Sequence, residues 1–409
     1  MSTYWKHVSQ VFSGAVGAQL IPIVGTLFIT RVYTPSDFGL YSSWLSIVLA
    51  LAVIITLRFE AALAMEEDGE GRNIAVFSIL LTVLALGLSI SFILFVIWYF
   101  FPQIINLYTF GPIWTVMLAS VLLAANTTWQ NWASADGEYK QLNLIRLALA
   151  STVTFFQVGI GYWSASELTL ILAHLLGLIL SFILGFFIKP LRLKIDKMLW
   201  FSILSFWRSR KRFPLLSLPA DLISVISAQL PVLIITSRFG ADIGGILALT
   251  MRILGAPIGI LGKAILDVFR RYAAIEYKET KSCRVIYIKT FKVLCLGSIL
   301  LVFGVIIFGE LIFSFVFGPE WSAAGVYAIW LLPMFALRFI ASPLSYTIYI
   351  VEKLHFDLLW QIGLLISTMF SLYFFENYKY VIYAYSISYA LLYLVYLWMT
   401  FRMSERIDL

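Results

Sequence analysis

The feature that most constrains this chain is a succession of apolar runs, each about 20 residues long, that recurs from one end to the other. An α-helix rises ~1.5 Å per residue, so a run of that length covers the ~30 Å hydrocarbon layer of a bilayer. The runs predict about twelve spans. Six lie near 8–30, 38–63, 74–100, 112–133, 142–162 and 167–188, and six more near 213–236, 243–268, 291–316, 323–349, 357–375 and 379–401. Composition agrees: 61% of the 409 residues are hydrophobic and 12% charged, where soluble domains carry roughly 25% charged residues. The 13 Trp and 21 Tyr suit headgroup depth, where one end of the ring is wet. The run from Val8 to Thr30 follows Lys6, exceeds a signal-peptide core of ~7–15 residues and lacks a small-x-small cleavage site; it is read as the first span. The expected fold is all-α and integral to a membrane.

A net charge of +7 does not point to nucleic acid here. The basic residues crowd into a few connections, chiefly 189–212 (Lys189, Arg192, Lys194, Lys197, Arg208, Arg210, Lys211, Arg212) and 270–289. The positive-inside rule makes these connections cytoplasmic, and an even number of spans puts both termini on the same side. Cys283 and Cys295, the only cysteines, lie in no segment placed outside the cytoplasm, so no disulfide framework is implied. His7, His174 and His355 have no metal-site spacing. No phosphate-cradling loop and no Ser/His/Asp set is found. The reading is a protein without catalytic residues, metal or cofactor, and not an enzyme.

The basic stretch also halves the chain into 1–188, a linker over 189–212, and 213–409. Ala18-Gln19-Leu20-Ile21-Pro22, with Thr30-Arg31, Asp37 and Gly39 beyond it, is echoed by Ala228-Gln229-Leu230-Pro231, with Thr236, Arg238, Asp242 and Gly244. Both strings sit at the first span of a half and the turn after it. Six spans per half give both halves the same orientation. This predicts two six-helix bundles repeated about an axis along the membrane normal, with a cleft between the lobes. Pro22 and Pro231 occupy matching places, where each removes a helix hydrogen bond.

Charges inside spans are expensive, so they face partners or water and mark pathways. The candidates are Arg58, Glu60, Asp221, Arg252, Lys263 and Arg338, with cations in excess. Arg252 and Lys263 are eleven residues apart, which at ~100° per residue returns to nearly one helix face. Gly255, Ala256 and Gly259 lie between them on that face. The stripe reads either as a close-packing seam or as the bare wall of an anion-binding cavity; two cations on it favour the cavity. Arg58 and Glu60, two apart, are expected on nearly opposite sides of their helix. Asp221 could take up H⁺ or Na⁺ during transport or could neutralise a nearby cation. The polar stretch Asn126-Thr127-Thr128-Trp129-Gln130 is expected to face other helices or a wet cavity.

Several segments resemble the polysaccharide repeat-unit (O-antigen, Wzx-type) flippases of the multidrug/oligosaccharidyl-lipid/polysaccharide (MOP) exporter superfamily. They run in order along nearly the whole chain. The first is Thr30-Arg31-Val32-Tyr33-Thr34-Pro35-Ser36-Asp37-Phe38-Gly39-Leu40-Tyr41, followed by Leu57-Arg58-Phe59-Glu60-Ala61-Ala62. Then come Phe213-Pro214 with Leu218-Pro219-Ala220-Asp221, and Arg252-Ile253-Leu254-Gly255-Ala256-Pro257. The last is Phe317-Gly318-Pro319-Glu320-Trp321, with Ala324-Gly325, Arg338-Phe339 and Ser342-Pro343-Leu344. The resemblance implies two six-helix bundles in a bacterial inner membrane. It also implies transfer of an undecaprenyl-diphosphate-linked oligosaccharide from the cytoplasmic to the periplasmic leaflet by alternating access.

On that reading Arg58, Arg252, Lys263 and Arg338 attract the diphosphate or an acidic sugar. Asn126, Trp129 and Gln130 meet the glycan, and Asp221 and Glu60 are the ion-coupling candidates. A polysaccharide polymerase and a chain-length regulator are the protein partners implied. Three rivals remain open, one of them a scaffold subunit of an envelope complex, which would not need buried cations. A multidrug exporter of the same superfamily would want an acidic cavity. A polymerase or ligase would carry a sizeable outer loop, whereas every outside connection here is short.

Overall fold

A computed structural model of the chain describes residues 2–100, 113–193, 198–351 and 353–405, and among them all regular structure is helical. Helices satisfy their own backbone N–H and C=O groups, which is what apolar runs in a bilayer require. Unit by unit, the chain folds as α1 (Ser2–Val32), α2 (Pro35–Thr56), α3 (Glu70–Phe100), α4 (Ile113–Ala135), α5 (Tyr139–Gly161), α6 (Glu167–Ile188) and the short α7 (Leu199–Ser209). The second series is α8 (Leu218–Phe239), α9 (Ala241–Pro257), α10 (Lys263–Thr280), α11 (Arg284–Ile312), α12 (Ala323–Leu344), the single turn α13 (Thr347–Ile350), α14 (Leu354–Phe374) and α15 (Tyr378–Met403). Three widened π turns, Phe213–Ser217, Ile258–Gly262 and Phe313–Phe317, join or extend these helices.

Every expected span falls on a long helix, although residue 112, the start of the fourth, lies outside the described residues. Ten helical stretches among the described residues are long and apolar enough to cross a membrane. The two spans outside that set are informative. In α1 the described apolar part is Val16–Val32. In α4 the second half carries Asn126, Thr127, Thr128, Gln130 and Asn131, and polarity lowers it below the threshold of a self-sufficient span.

The chain forms two compact units, Met1–Gln229 and Leu230–Leu409, with the division inside α8. Most of 189–212, read from sequence as a linker, is built into the first unit: α7 buries Ile203 and Phe206 there, and Phe206 packs on Phe59 with ring centroids 5.5 Å apart. Lys194 and Lys197 lie outside the described residues. In the first unit α3 packs on α4, α4 on α2 and α6, α6 on α5, and α5 on α1. In the second, α11 packs on α12, α12 on α9 and α15, and α15 on α14. Counted from the start of each series of spans, these are the same pairs: third on fourth, fourth on second and sixth, sixth on fifth. The internal repeat is thus a repeat of packing as well as of sequence.

Two crossings depend on the absence of a side chain. A Cβ on Gly177 of α6 would lie 2.4 Å from the Val153 Cα of α5, and one on Gly325 of α12 would lie 2.5 Å from the Glu310 Cα of α11. Small residues let helix backbones meet in a medium that gives no hydrophobic drive for association.

The string Thr34-Pro35-Ser36-Asp37 starts α2. The Thr34 hydroxyl accepts from Asp37 N (3.2 Å), Asp37 Oδ2 accepts from Thr34 N (3.1 Å), and Pro35 stands where no helix N–H partner exists. This reciprocal cap satisfies donors that a helix start otherwise orphans.

At one end of the first unit an ion network ties four segments together. Arg72, 4% exposed, donates from Nε to Leu63 O (3.0 Å) and from Nη2 to Glu66 O (2.8 Å), and its Nη1 pairs with Asp136 and Asp68. Lys189, 7% exposed at the end of α6, pairs with Asp136 (2.7 Å) and Glu138 and lies over the Trp132 ring. Arg210, just past α7, pairs with Glu66 (2.5 Å) and donates to Met65 O.

Candidate functional site

The first unit brings Arg58, Glu60 and Asp221 together. α2 stops at Thr56 because Leu57 and Arg58 take left-handed backbone angles (φ 50° and 59°), and Phe59–Met65 continues as a tighter 3-10 helix. The expectation that Arg58 and Glu60 point to opposite sides is therefore overturned: it assumed one continuous helix. Arg58 Nη1 lies 2.9 Å from Glu60 Oε1, and Arg58 Nε approaches Asp221 Oδ2 at 2.5 Å, a charge contact rather than an aligned hydrogen bond. Glu60 is 3% exposed and its Oε2 has no hydrogen-bond partner among the described residues. Asp221 lies in the first turn of α8, directly after the π turn Phe213–Ser217 that runs into it. One cation faces two carboxylates, so the cluster holds a formal surplus of negative charge.

The second unit corrects the reading of Arg252 and Lys263. They lie on different helices, α9 and α10, and the π turn Ile258–Gly262 stands between them, directly after Pro257. A π turn holds about one residue more than an α turn, so the two positions diverge by roughly a quarter turn instead of sharing a face. Arg252 is half-buried, and the Lys263 side chain lies outside the described residues. Arg338, half-buried on α12, is within electrostatic reach of Tyr385, Tyr389 and Tyr393 of α15. These tyrosines form a ladder: Tyr385 and Tyr389 have ring centroids 4.6 Å apart, Tyr389 and Tyr393 6.2 Å. A fourth, Tyr396, donates to Asp357 (2.9 Å), and the Tyr389 hydroxyl bonds Thr368 (2.7 Å).

Two glycan candidates are committed to the interior of the first unit. Asn126, 1% exposed, accepts from the Ser181 hydroxyl (2.8 Å) and donates to Leu122 O (2.9 Å). Trp129, 2% exposed, donates to Lys189 O (3.1 Å) and packs on Trp132 and Phe182. Of the three, Gln130 alone is half-buried rather than enclosed. Here the polar residues of α4 serve helix–helix contact, one of the two roles the sequence left open. His174 is likewise a packed group, held by the Tyr41 hydroxyl at 2.8 Å and edged by Trp44. Among the described residues no group of three His, Cys, Asp or Glu is placed to hold a metal ion.

The sequence reading missed Arg146. It lies on α5, half-buried, and its Nη1 is enclosed without a hydrogen-bond partner among the described residues. The signal was present: a lone Arg in the run Leu144-Ile145-Arg146-Leu147-Ala148-Leu149, inside an expected span.

The sequence profile of the family described as "Polysaccharide biosynthesis protein" matches residues 28–325, a stretch that includes Arg58, Arg146, Asp221, Arg252 and Lys263. This chain belongs to that family. No curated protein matches its sequence at significance. Among solved structures, the lipid II flippase MurJ in an inward closed conformation superposes with TM-score 0.70 at 12% identity, covering 97% of this chain and 89% of that one. An inward-facing multidrug resistance transporter of the MATE family, within the MOP superfamily, gives 0.68 at 14% identity over 94% of both chains. A MOP superfamily transporter from Pyrococcus furiosus, described as having a binding pocket of reversed polarity, gives 0.55 at 13% identity over 98% and 96%. The fold of this family member is therefore that of the MOP transporters, a multi-pass all-α membrane protein.

Proposed function

We propose that this protein is a flippase for lipid-linked polysaccharide precursors, moving an undecaprenyl-diphosphate-linked repeat unit from the cytoplasmic to the periplasmic leaflet of a bacterial inner membrane, with both of its termini cytoplasmic. The observation that carries the reading is the sign of the charge held inside the spans. Among the charges set in from the span ends, Arg58, Arg146, Arg252, Lys263 and Arg338 outnumber Glu60, Asp221 and Glu310. Cations kept at such depth need an anionic counterpart, and a diphosphate headgroup is one. A unit charge pair at 4 Å gains about 4 kcal/mol at an effective dielectric of 20, enough to offset part of the headgroup's desolvation. Membership in a polysaccharide-biosynthesis family and the fold shared with MurJ, a lipid II flippase by its description, support the same substrate class.

In this reading Arg252, Lys263 and Arg338 hold the headgroup, and Gln130 remains the polar group for the glycan. Arg58 is already held by Glu60 and Asp221, so it reaches substrate by exchanging a carboxylate for a phosphate. Uptake of H⁺ or Na⁺ by Asp221 or Glu60 would release it, which couples the ion to the load. An exporter of cationic drugs would want the opposite sign of charge.

The test is surface polysaccharide in a strain lacking the gene, complemented with wild type, Arg252→Ala or Lys263→Ala, with lipid-linked units quantified by leaflet. Finished units accumulating on the cytoplasmic leaflet, and poor rescue by both membrane-inserted variants, are the expected result. Unpolymerised units in the periplasmic leaflet would instead assign a polymerase or ligase.

A further inference from the structure

The helix α7 has a face that the protein does not use. Its inner side is fixed to the first unit: Ile203 and Phe206 are buried, and Trp207 Nε1 donates to the Thr82 hydroxyl of α3 (3.0 Å). Away from those three the exposed side carries Phe201 and Arg208, while Trp200, seven residues before Trp207 and edge-on to its ring at 6.3 Å, stands at the margin of the packed side. Trp200 is 58% exposed and Phe201 66%, and Met198, just before the helix, is 63% exposed. Arg208, Lys211 and Arg212 are exposed at its C-terminal end, and none of them is ion-paired among the described residues. Large apolar side chains exposed beside exposed basic ones describe an amphipathic surface helix with one partner missing.

The position of α7 says which partner. It stands in the sequence between α6, which ends at Ile188, and the π turn that leads into α8, and exposed aromatic and basic side chains together suit the edge of a hydrocarbon layer. The π turn that follows exposes Leu215 (67%) and Leu216 (70%), where the chain re-enters an apolar medium. Trp and Phe rings at that depth sit among headgroups, and Arg and Lys beside them meet lipid phosphates. We propose that the outer face of α7 is a docking surface for anionic phospholipid, with Trp200 and Phe201 inserted at headgroup level and Arg208, Lys211 and Arg212 on the phosphates. Because Arg210 ties the end of α7 to Glu66 and Met65, the last residue of the 3-10 segment that carries Glu60, lipid binding steadies that segment as well.

The experiment is hydrogen exchange of the full chain in two kinds of nanodisc, phosphatidylcholine alone and phosphatidylcholine with phosphatidylglycerol. It needs no transport substrate, so its outcome is independent of the flippase reading. Each basic residue at an anionic surface is worth about a fivefold change in binding. Amides of residues 199–212 should therefore exchange more slowly in the anionic disc, with the difference shrinking at high salt. The Arg208→Gln/Lys211→Gln/Arg212→Gln variant should lose that difference, while Trp200→Ser/Phe201→Ser should speed exchange in both discs. Equal exchange of the wild type in both discs, or a lipid difference that survives the triple substitution, overturns the proposal and leaves the face to a protein partner.

Discussion

Arg58 Nη1 and Glu60 Oε1 meet at 2.9 Å because the chain leaves the α-helix between Thr56 and Phe59. Glu60 is enclosed, so Arg58→Ala would leave a buried carboxylate without its cation. We expect a loss of about 2–3 kcal/mol, less than for a fully buried pair since Arg58 is 30% exposed. Arg58→Ala with Glu60→Gln should recover more than half of it. Thermal unfolding of the three proteins in one detergent measures this; a double variant no better than the single one would contradict it.

The two glycine crossings predict a contrast within one type of substitution. Gly177→Ala or Gly325→Ala places a methyl group against backbone and should destabilise by about 1–3 kcal/mol. Gly304→Ala meets nothing within 4 Å and should be neutral or gain up to ~1 kcal/mol from helix propensity. Unfolding midpoints that rank the three the other way would show that the crossings are looser than drawn.

Arg72 donates to two carbonyls and reaches two carboxylates. Arg72→Leu should cost about 3 kcal/mol or more, because Leu63 O, Glu66 O and Asp136 lose their donor together. Asp68→Ala removes a partner that is 90% exposed and should cost at most ~0.5 kcal/mol. Arg72→Lys should restore little, as an ammonium cannot span the same acceptors.

Cys283 is 0% exposed at the start of α11, and burial, with the Glu276 carboxylate adding to it, pushes its thiol up to about 12. Alkylation by a maleimide at pH 7.5 should therefore leave Cys283 unmodified in the folded protein and modify it after denaturation. The sign for stability follows. The folded state holds the proton more tightly than the unfolded state, whose thiol titrates near 9.0. The thiol's contribution is whole below that pH and drains away as pH rises toward about 12. Mass spectrometry of labelled protein checks the first statement, and unfolding midpoints of wild type and Cys283→Ala across pH 8–11 check the second.

Much of this fold could be read from residues because apolar length is a local property. Each of the twelve runs falls on helix, the eighth on α9 and α10 with a π turn between them, and even the weak fourth span announced itself through Asn126 to Asn131. The candidate site was less legible, for reasons that are also local but weaker in signal. Nothing in Leu57-Arg58 marks a left-handed pair; neither residue is one that favours positive φ, and tertiary contacts must impose it. Arg72 sits at a span end among Glu66, Glu67, Asp68 and Glu70, and Lys189 at another among basic residues, so the sequence could not separate a network from a solvated flank. Asn126 and Trp129 carry the residue types of a sugar site, and only their enclosed partners show that they bind helices.

The widened turn at 258–262 gives the chain one residue more than a regular helix would need there. That surplus makes α10 sensitive to insertion and deletion in an unusual way. Removing one residue from this turn would restore ordinary α geometry and leave the helix axis running on, while every position before and after it kept its own phase. The same deletion two turns earlier, inside α9, would rotate all that follows by ~100°. Loss of one residue should therefore disturb the second unit less within this turn than within α9.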